Sequence, residues 1–211
     1  MMHSFDKDYW EGHWEQAHDA AAAGSDANAP NPHLTRETAG LAPGTALDAG
    51  CGTGAEATWL AAQGWQVTGA DISAAALVQA AERAAQEPVS DSVTWVEADL
   101  SSWEPDHRFD LVTTSYAHPA MPQLAFYRRI SEWVAPGGSL LIIGHLHHPA
   151  STGHSHRPPA EATVTLADIT RGLDPAVWSI QSAKELTRTI PRPGGRALAL
   201  HDAVVHATRH S

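Results

Sequence analysis

The sequence is short of positive charge. Its 211 residues include 13 Lys and Arg against 24 Asp and Glu, which gives a formal net charge of −11 at pH 7. A nucleic-acid partner needs a basic face for its phosphates, and the few basic residues of this chain are scattered. The composition therefore argues against a nucleic-acid partner and favours a small-molecule substrate.

Cysteine is almost absent, and long hydrophobic runs are missing. The single cysteine, Cys51, excludes an internal disulfide, and its place in a glycine turn favours a small packed side chain over a nucleophile. No apolar run approaches the roughly 20 residues that span a bilayer, and the stretch from Met1 to Asp6 lacks the features of a signal peptide. We expect a cytoplasmic protein with no membrane partner, and the sequence leaves its oligomeric state open.

The most informative segment present is TALDAGCGTG, from Thr45 to Gly54. Its first residues predict a short strand, and its glycines allow the chain to reverse tightly and bring its backbone against a ligand. A helix is expected to begin near Gly54, and a second strand follows it and ends at Asp71. Strand, glycine turn, helix, strand and acidic residue together predict the first half of a Rossmann-type sheet, in which Asp71 binds a ribose.

The glycine pattern alone leaves two cofactor classes open. Residues 50–55 also satisfy the G-x-G-x-x-A pattern of dinucleotide-binding enzymes. Asp48, however, stands two residues before the first glycine, where a carboxylate repels a pyrophosphate and attracts an ammonium group. A short-chain oxidoreductase that uses NAD would also need a Tyr-x-x-x-Lys pair, which the sequence lacks. A nucleotide that carries an ammonium group, such as S-adenosylmethionine, is the better match.

The spacing of Asp48, Gly50, Gly52 and Gly54 resembles the first motif of class I S-adenosylmethionine-dependent methyltransferases. Asp71 matches the ribose-binding acid of that family, and residues 97–100 match its adenine-contacting segment. Residues 109–115 and 135–143 look like its fourth and fifth strands. Within the family, the overall pattern looks most like the bacterial small-molecule methyltransferases of the tellurite-resistance and thiol-methylating kind.

The resemblance implies an α/β fold with a Rossmann-like, seven-stranded, mostly parallel sheet, an antiparallel last strand and helices on both faces. The sequence itself supports the reversed ending, because residues 178–186 and 197–207 indicate two consecutive strands, which pair as an antiparallel hairpin. Residues 41–211 would form this domain, after an N-terminal aromatic cap segment at residues 1–40. Tyr9, Trp10 and Trp14 of that segment either cover the cofactor or substrate, or pack on the domain surface.

The implied activity is transfer of a methyl group from S-adenosylmethionine to an oxygen, nitrogen or sulfur atom of a small molecule. In-line displacement is accelerated by alignment of the reacting atoms and by exclusion of water. A non-catalytic module that binds the same cofactor is the alternative. The resemblance places Asp48, Gly50, Cys51, Gly52 and Gly54 at the methionine part of the cofactor, Asp71 at the ribose, Asp99 and Leu100 at the adenine, and Ser115 near the sulfur, with Ile72 as a further cofactor-binding residue.

Histidines are concentrated after the predicted fifth strand, where His145, His147, His148, His154 and His156 fall within twelve residues. The carboxyl ends of the strands form the ligand crevice in such sheets, so we expect His118 and His145 to border the site as candidate general bases. His145 is the first choice because it closes a strand. No metal site is expected, since neither carboxylates nor cysteines interleave these five histidines and no two of them have the H-x-x-x-H spacing. Solvated loop histidines are the competing interpretation.

Overall fold

Strands and helices alternate along the chain, and the computed structural model describes residues 5–21, 29–146, 162–191 and 197–211. The strands are β1 (Thr45–Ala49), β2 (Gln66–Asp71), β3 (Val93–Glu97), β4 (Phe109–Ser115), β5 (Val134–Leu146), β6 (Thr163–Val164), β7 (Trp178–Pro191) and β8 (Ala197–Arg209). The helices are α1 (Lys7–Ala21), α2 (Pro32–Thr38), α3 (Ala55–Ala62), α4 (Ala74–Ala84), α5 (Gln123–Ser131) and α6 (Leu166–Arg171).

Within the described residues the strands form one sheet in the order β3-β2-β1-β4-β5-β8-β7, with β6 beside β5. Strands β1 to β5 are parallel, and β8 runs antiparallel to both of its neighbours, β5 and β7. This arrangement confirms the predicted mostly parallel sheet with a reversed last strand. The two-residue β6 is an addition to the seven expected strands. It pairs with His145 and Leu146, because β5 continues past its last pairing with β4 at Ile143.

Both faces of the sheet are covered, and β5 supplies side chains to both. Leu140 and Ile142 belong to the hydrophobic cluster under α5 and α6, whereas Leu141 and Ile143 belong to the cluster that includes Leu34 of α2. This alternation explains why the strand is a continuous apolar run, as expected for a central strand buried on both sides. No helix among the described residues is long and apolar enough to cross a membrane.

The topology opens a crevice at one edge of the sheet. The chain adds β2 and β3 on one side of β1, and then crosses to add β4 and β5 on the other side. The loops after β1 and β4 therefore leave the sheet in opposite directions, and a cleft forms at the carboxyl ends of these strands. The glycine turn follows β1, and the segment that contains His118 follows β4, so both reach this cleft.

Candidate active site

The cleft at the carboxyl ends of β1, β2, β4 and β5 contains a cavity of about 470 Å³. Of the residues expected at the cofactor, those in its wall are Gly50, Cys51, Gly52, Asp71, Ile72, Asp99, Leu100 and Ser115. Both candidate bases, His118 and His145, line the same cavity. Asp48 and Gly54 do not line it, because they lie behind the glycine turn and at the start of α3.

Asp71 holds the glycine turn in place from the end of β2. Its Oδ2 accepts a hydrogen bond from the Gly52 backbone N–H at 2.8 Å, and its Oδ1 accepts one from the Ser73 N–H at 3.0 Å. Burial raises the pKa of the Asp71 carboxyl, although these backbone hydrogen bonds act in the opposite direction. Each carboxylate oxygen keeps a second lone pair, so Asp71 can accept ribose hydroxyls while it fixes the turn.

Asp48 is a buried carboxyl beneath the turn. It is 1% exposed, and its Oδ2 has no hydrogen-bond partner among the described residues. Burial raises its pKa well above the ordinary value, and the nearby carboxylates of Glu56 and Asp71 raise it further. An adjacent cation would lower that pKa and favour the ionised form. The glycine-turn side of the cavity is therefore electrostatically suited to a positively charged ligand, and unsuited to a pyrophosphate.

The segment after β3 forms the far wall. Its turn is closed by the Asp99 side chain, whose Oδ1 accepts the Ser101 N–H at 2.9 Å. The guanidinium of Arg129 on α5 donates to the Leu100 carbonyl at 3.0 Å and to the Trp103 carbonyl at 2.7 Å. Leu100 is thereby held as a buried apolar surface, suited to the face of an adenine ring.

Helix α1 closes the cavity, and its side chains Tyr9, Trp10, His13 and Trp14 line the wall together with Phe5. The Trp10 indole N–H donates to the His118 carbonyl at 3.1 Å, and Lys7 forms an ion pair with Glu97 at the end of β3. Glu11 accepts hydrogen bonds from the first residues of α4. The described aromatic residues of this segment therefore form part of the wall of the cavity.

His118 presents one engaged and one unengaged ring nitrogen. Its Nδ1 lies 2.9 Å from the Gln123 Oε1, whereas its buried Nε2 has no hydrogen-bond partner among the described residues. Burial lowers the pKa of His118, and the hydrogen bond to Gln123 only partly offsets this effect. The ring is therefore neutral at physiological pH.

His145 lies against His118 in the same wall. The centroids of these two rings are 5.6 Å apart, and the Tyr116 ring also stacks on His145, with a centroid distance of 4.5 Å. His147, His148, His154 and His156 lie outside the described residues. Among the residues that are described, there is no group of three or more His, Cys, Asp or Glu side chains that could hold a metal ion.

The wall also contains residues that the sequence did not mark as site residues, of which Tyr116, in the segment expected to border the site, is the most unusual. It has a positive φ of 58°, which is strained for a residue with a bulky side chain, and its hydroxyl accepts a hydrogen bond from the Asn31 amide at 3.2 Å. Its position directly after β4 was the available signal. Glu56, which accepts the Asn31 backbone N–H at 3.2 Å, carried no motif that could have marked it.

The side chains present fit S-adenosylmethionine. Two buried oxygens, Asp48 Oδ2 and Ser115 Oγ, lack partners among the described residues, and the carboxylates around the turn match a ligand with ammonium and sulfonium charges. Gly52 allows the Trp14 ring to pack closely on the turn, because a Cβ at residue 52 would lie 2.8 Å from that ring. Cys51 is a free, buried thiol whose pKa is raised by burial, so it packs in the wall as a neutral group.

Comparisons with known proteins agree with this geometry. Residues 46–138 match the model of a methyltransferase domain. The chain is 31% identical over 161 residues to thiocyanate methyltransferase 1 of Brassica oleracea, with 74% of this chain and 69% of that protein covered. It is 29% identical over 171 residues to probable thiol methyltransferase 2 of Arabidopsis thaliana, with 78% of this chain and 74% of that protein covered.

The fold is also similar to that of a protein whose solved structure is reported under the heading "Conversion of a Disulfide Bond into a Thioacetal Group during Echinomycin Biosynthesis". The two chains align with a TM-score of 0.65 at 26% identity, and the alignment covers 88% of this chain and 83% of that one. The chain therefore belongs to the class I S-adenosylmethionine-dependent methyltransferases, and it is an enzyme that transfers a methyl group from S-adenosylmethionine to a small-molecule acceptor.

Proposed function

We propose that the acceptor is the sulfur atom of a small, neutral thiol with an apolar body, and that His118 is the general base that removes its proton. The observation that carries this proposal is the unpartnered, buried Nε2 of His118 in an aromatic wall. The relatives named for thiol and thiocyanate methylation support sulfur as the acceptor atom.

Charge in the cavity favours a neutral acceptor over an anionic one. The described lining residues include Glu56, Asp71 and Asp99 but neither Lys nor Arg. An acceptor that is already an anion, such as thiocyanate or a halide, would enter against these carboxylates. A thiol with an ordinary pKa of about 8.5 is mostly neutral at pH 7, so it enters uncharged and needs a base inside the site.

The aromatic residues suit the apolar body of such a thiol. The Phe5 ring lies 5.7 Å from the His118 ring and 6.1 Å from the Trp10 ring, so apolar surface surrounds the proposed base. Burial of that surface by the acceptor excludes water from the reacting atoms. The same features, with the net charge of −11, support a small acceptor rather than a nucleic acid.

The chemistry is a single displacement. When bound, S-adenosylmethionine supplies an activated methyl group on its sulfonium. His118 Nε2 takes the proton of the acceptor thiol, and the acceptor sulfur forms a bond to the methyl carbon as the bond between that carbon and the sulfonium breaks. The products are a methyl thioether, the demethylated cofactor and a proton on His118.

The proposed cofactor contacts follow from the wall of the cavity. Asp71 and Ile72 would hold the ribose, Asp99 and Leu100 the adenine, and Ser115 Oγ a polar group near the sulfur. Asp48 would act on the ammonium through the turn, because it does not line the cavity. The proposal includes a cytoplasmic location, which fits a chain whose only cysteine is a free thiol. Fractionation of cells tests that part.

The geometry supports His118 over His145 as the base. The sequence favours His145 because it closes β5, and it does line the cavity. Its ring, however, stacks on the rings of both Tyr116 and His118, whereas the Nδ1 of His118 is already held by Gln123 and its Nε2 is left without a partner among the described residues. A base whose other nitrogen is oriented is the arrangement that general-base catalysis uses.

The test is a turnover assay with labelled S-adenosylmethionine against apolar thiols, thiocyanate and iodide. We expect apolar thiols to be methylated with the highest kcat/KM. His118→Gln should lower kcat by roughly 10²- to 10⁴-fold and leave the affinity for S-adenosylhomocysteine nearly unchanged, since only proton transfer is lost. His107→Gln is the control, because His107 is exposed and lies outside the cavity. Preference for thiocyanate or iodide, or full turnover of His118→Gln, would contradict the proposal.

A further inference from the structure

Gln123, the first residue of α5, is held in one orientation. It is only 6% exposed, and its Nε2 donates to the Ala117 carbonyl at 2.9 Å. A carbonyl oxygen can only accept, so the amide nitrogen must face Ala117. The Oε1 must then face His118, from whose Nδ1 it is 2.9 Å away.

This orientation determines which ring nitrogen of His118 carries the proton. The Gln123 Oε1 has no hydrogen to give, so the hydrogen bond requires N–H at Nδ1. A neutral imidazole has one N–H and one lone pair, and the lone pair is therefore left on Nε2. The other tautomer would set the Nδ1 lone pair against the Oε1 lone pairs and would bury an unpaired Nε2 N–H.

We propose that Gln123 is a positioning residue that imposes the Nδ1–H tautomer on His118, and so keeps Nε2 available to accept the proton of the acceptor. This inference rests on the proposed role of His118 as the base. Gln123 touches neither cofactor nor acceptor in this arrangement, and it acts through the histidine alone.

Neighbouring groups fix both members of the pair. The buried Tyr127 side chain, one turn further along α5, lies close to the Gln123 side chain. Space for the Tyr127 hydroxyl exists because residue 144 is glycine, whose missing Cβ would lie 2.5 Å from it. On the opposite side, Trp10 of α1 donates to the His118 carbonyl at 3.1 Å. The pair is thus braced by α5, β5 and α1.

Other titratable groups near His118 come from three elements. His145 of β5 stacks on it at 5.6 Å, and Tyr127 of α5 lies behind Gln123. Helix α1 brings Tyr9 and His13 into the same wall. The pKa of Tyr127 lies far above the physiological range because its hydroxyl is buried.

Two variants separate tautomer control from simple support of the loop. Gln123→Met removes both the acceptor to His118 and the donor to Ala117. Gln123→Glu keeps an acceptor toward His118 but loses the donor when ionised. If Gln123 only braces the loop, both variants should fail alike. If it sets the tautomer, Gln123→Glu should keep the function and should also raise the pKa of His118, because a carboxylate favours the charged ring.

The first measurement is nitrogen-15 NMR of the histidine side chains in the cofactor-free protein. We expect neutral His118 to carry its hydrogen on Nδ1 in the unsubstituted protein and in Gln123→Glu, and to populate both tautomers in Gln123→Met. This measurement does not depend on the acceptor, so it stays informative if no thiol is methylated. A hydrogen on Nε2 in the unsubstituted protein overturns the inference.

The second measurement is the pH dependence of kcat. Gln123→Met should lower the plateau by roughly 2- to 12-fold, the factor that one neutral hydrogen bond contributes. Gln123→Glu should keep the plateau and move the ascending limb to higher pH. Affinity for S-adenosylhomocysteine should be unchanged in both, which shows that the fold is intact. A plateau in Gln123→Glu that falls as far as that of Gln123→Met overturns the inference, whereas full turnover by His118→Gln overturns the proposed base and leaves the NMR result standing.

Discussion

Glu11 of α1 and Ser73, the N-cap of α4, are joined by a hydrogen bond of 2.6 Å from the Ser73 hydroxyl to the Glu11 carboxylate. The same carboxylate accepts the backbone N–H groups of Ala74 at 3.0 Å and Ala75 at 3.1 Å. The first N–H groups of a helix have no partner within it, so a residue of α1 completes the N-terminus of α4. Because α4 starts just after Asp71, this bond ties the wall of the cavity to the proposed ribose site.

Glu11→Gln is predicted to loosen α1 without unfolding the domain. The amide keeps the size of the side chain but loses the charge that the α4 N-terminus attracts. The loss should be about 1 to 2 kcal/mol, as for other helix caps, so hydrogen-exchange protection of α1 should fall roughly 5- to 30-fold. Glu15→Gln is the control, because Glu15 is an exposed residue of the same helix. Equal protection in the two variants would show that Glu11 does not hold α1.

Low pH should also reduce the hydrogen-exchange protection of α1, as Glu11→Gln does. The pKa of Glu11 is lowered in the folded protein from its ordinary value of 4.5, because burial, which raises it, is outweighed by hydrogen bonds from Ser73, Ala75 and Ala74. A carboxyl with a depressed pKa stabilises the folded state above its ordinary pKa, and that contribution is lost as the pH falls through the folded value. Protection of α1 in the unsubstituted protein should therefore decline below pH 4.5, and the decline should be smaller in Glu11→Gln.

The sequence was sufficient for features that depend on local order along the chain. The glycine turn, Asp71 at the end of β2 and the terminal hairpin follow from spacing within short segments, and the strand order follows from the family resemblance. Glu11 and Gln123 could not be predicted, because their roles come from proximity to Ser73 and His118, which depends on how the helices pack. A single sequence contains no signal for such pairs.

Asp48 is a residue whose position along the chain could be predicted but whose exposure to the cavity could not. The motif identifies its place at the end of β1, and a carboxylate there attracts an ammonium group. The structure nevertheless puts it behind the cavity wall, buried and 1% exposed. Spacing identifies which strand end a residue occupies, whereas the path of the glycine turn decides whether it faces the ligand.

Gly54→Ala is predicted to destabilise the protein strongly. Gly54 has a φ of +76°, and a Cβ there would lie 2.5 Å from the Trp95 ring and 2.8 Å from the Ala80 Cβ. The left-handed backbone costs an alanine about 1–2 kcal/mol, and overpacking adds about 1–3 kcal/mol, so the free energy of unfolding should fall by roughly 2–5 kcal/mol. Urea denaturation measures this change.

Gly12→Ala is the matched control for that substitution. Gly12 lies within α1, and a Cβ there would have no atom within 4 Å. Alanine favours a helix over glycine by roughly 0.5–1 kcal/mol, so Gly12→Ala should leave the domain stable and should increase the helicity of α1. If both alanine variants unfold at the same urea concentration, contact with Trp95 and Ala80 does not restrict residue 54.

Asp71→Asn is predicted to weaken the binding of S-adenosylhomocysteine by roughly 10- to 100-fold, because hydrogen bonds to a charged acceptor contribute about 1.5–3 kcal/mol. The backbone N–H groups of Gly52 and Ser73 donate hydrogen bonds to the Asp71 carboxylate. In the asparagine variant, the amide NH₂ would face one of these N–H groups and could not accept its hydrogen bond. Calorimetry with S-adenosylhomocysteine and with an analogue that lacks the ribose hydroxyls separates the two effects. The analogue should bind the unsubstituted protein more weakly than S-adenosylhomocysteine does. Its affinity should fall little further when Asp71 is replaced by Asn. Additive losses would place the ribose elsewhere.

Asp48→Asn is predicted to change the pH dependence of cofactor binding. The pKa of Asp48 in the cofactor-free protein is raised, first by burial and then by Glu56 and Asp71. A cationic ligand favours the carboxylate, so the bound state has a lower Asp48 pKa than the free state. Between these two values the complex holds fewer protons than the free protein, and affinity for S-adenosylhomocysteine should rise with pH, by up to about tenfold per unit.

The asparagine variant should bind more weakly, and its affinity should not vary with pH in that window. The substitution weakens cofactor binding but should stabilise the cofactor-free protein. A carboxyl with a raised pKa disfavours the folded state as the pH rises through the folded value, so Asp48→Asn should increase the melting temperature at neutral pH. Adenosine, which lacks the methionine part, is the control ligand. If the affinity for adenosine also rises with pH, the pH dependence comes from Asp71. An Asp48→Asn variant that melts lower than the unsubstituted protein and keeps its pH dependence would show that the buried carboxyl has a structural role and does not interact with the ammonium.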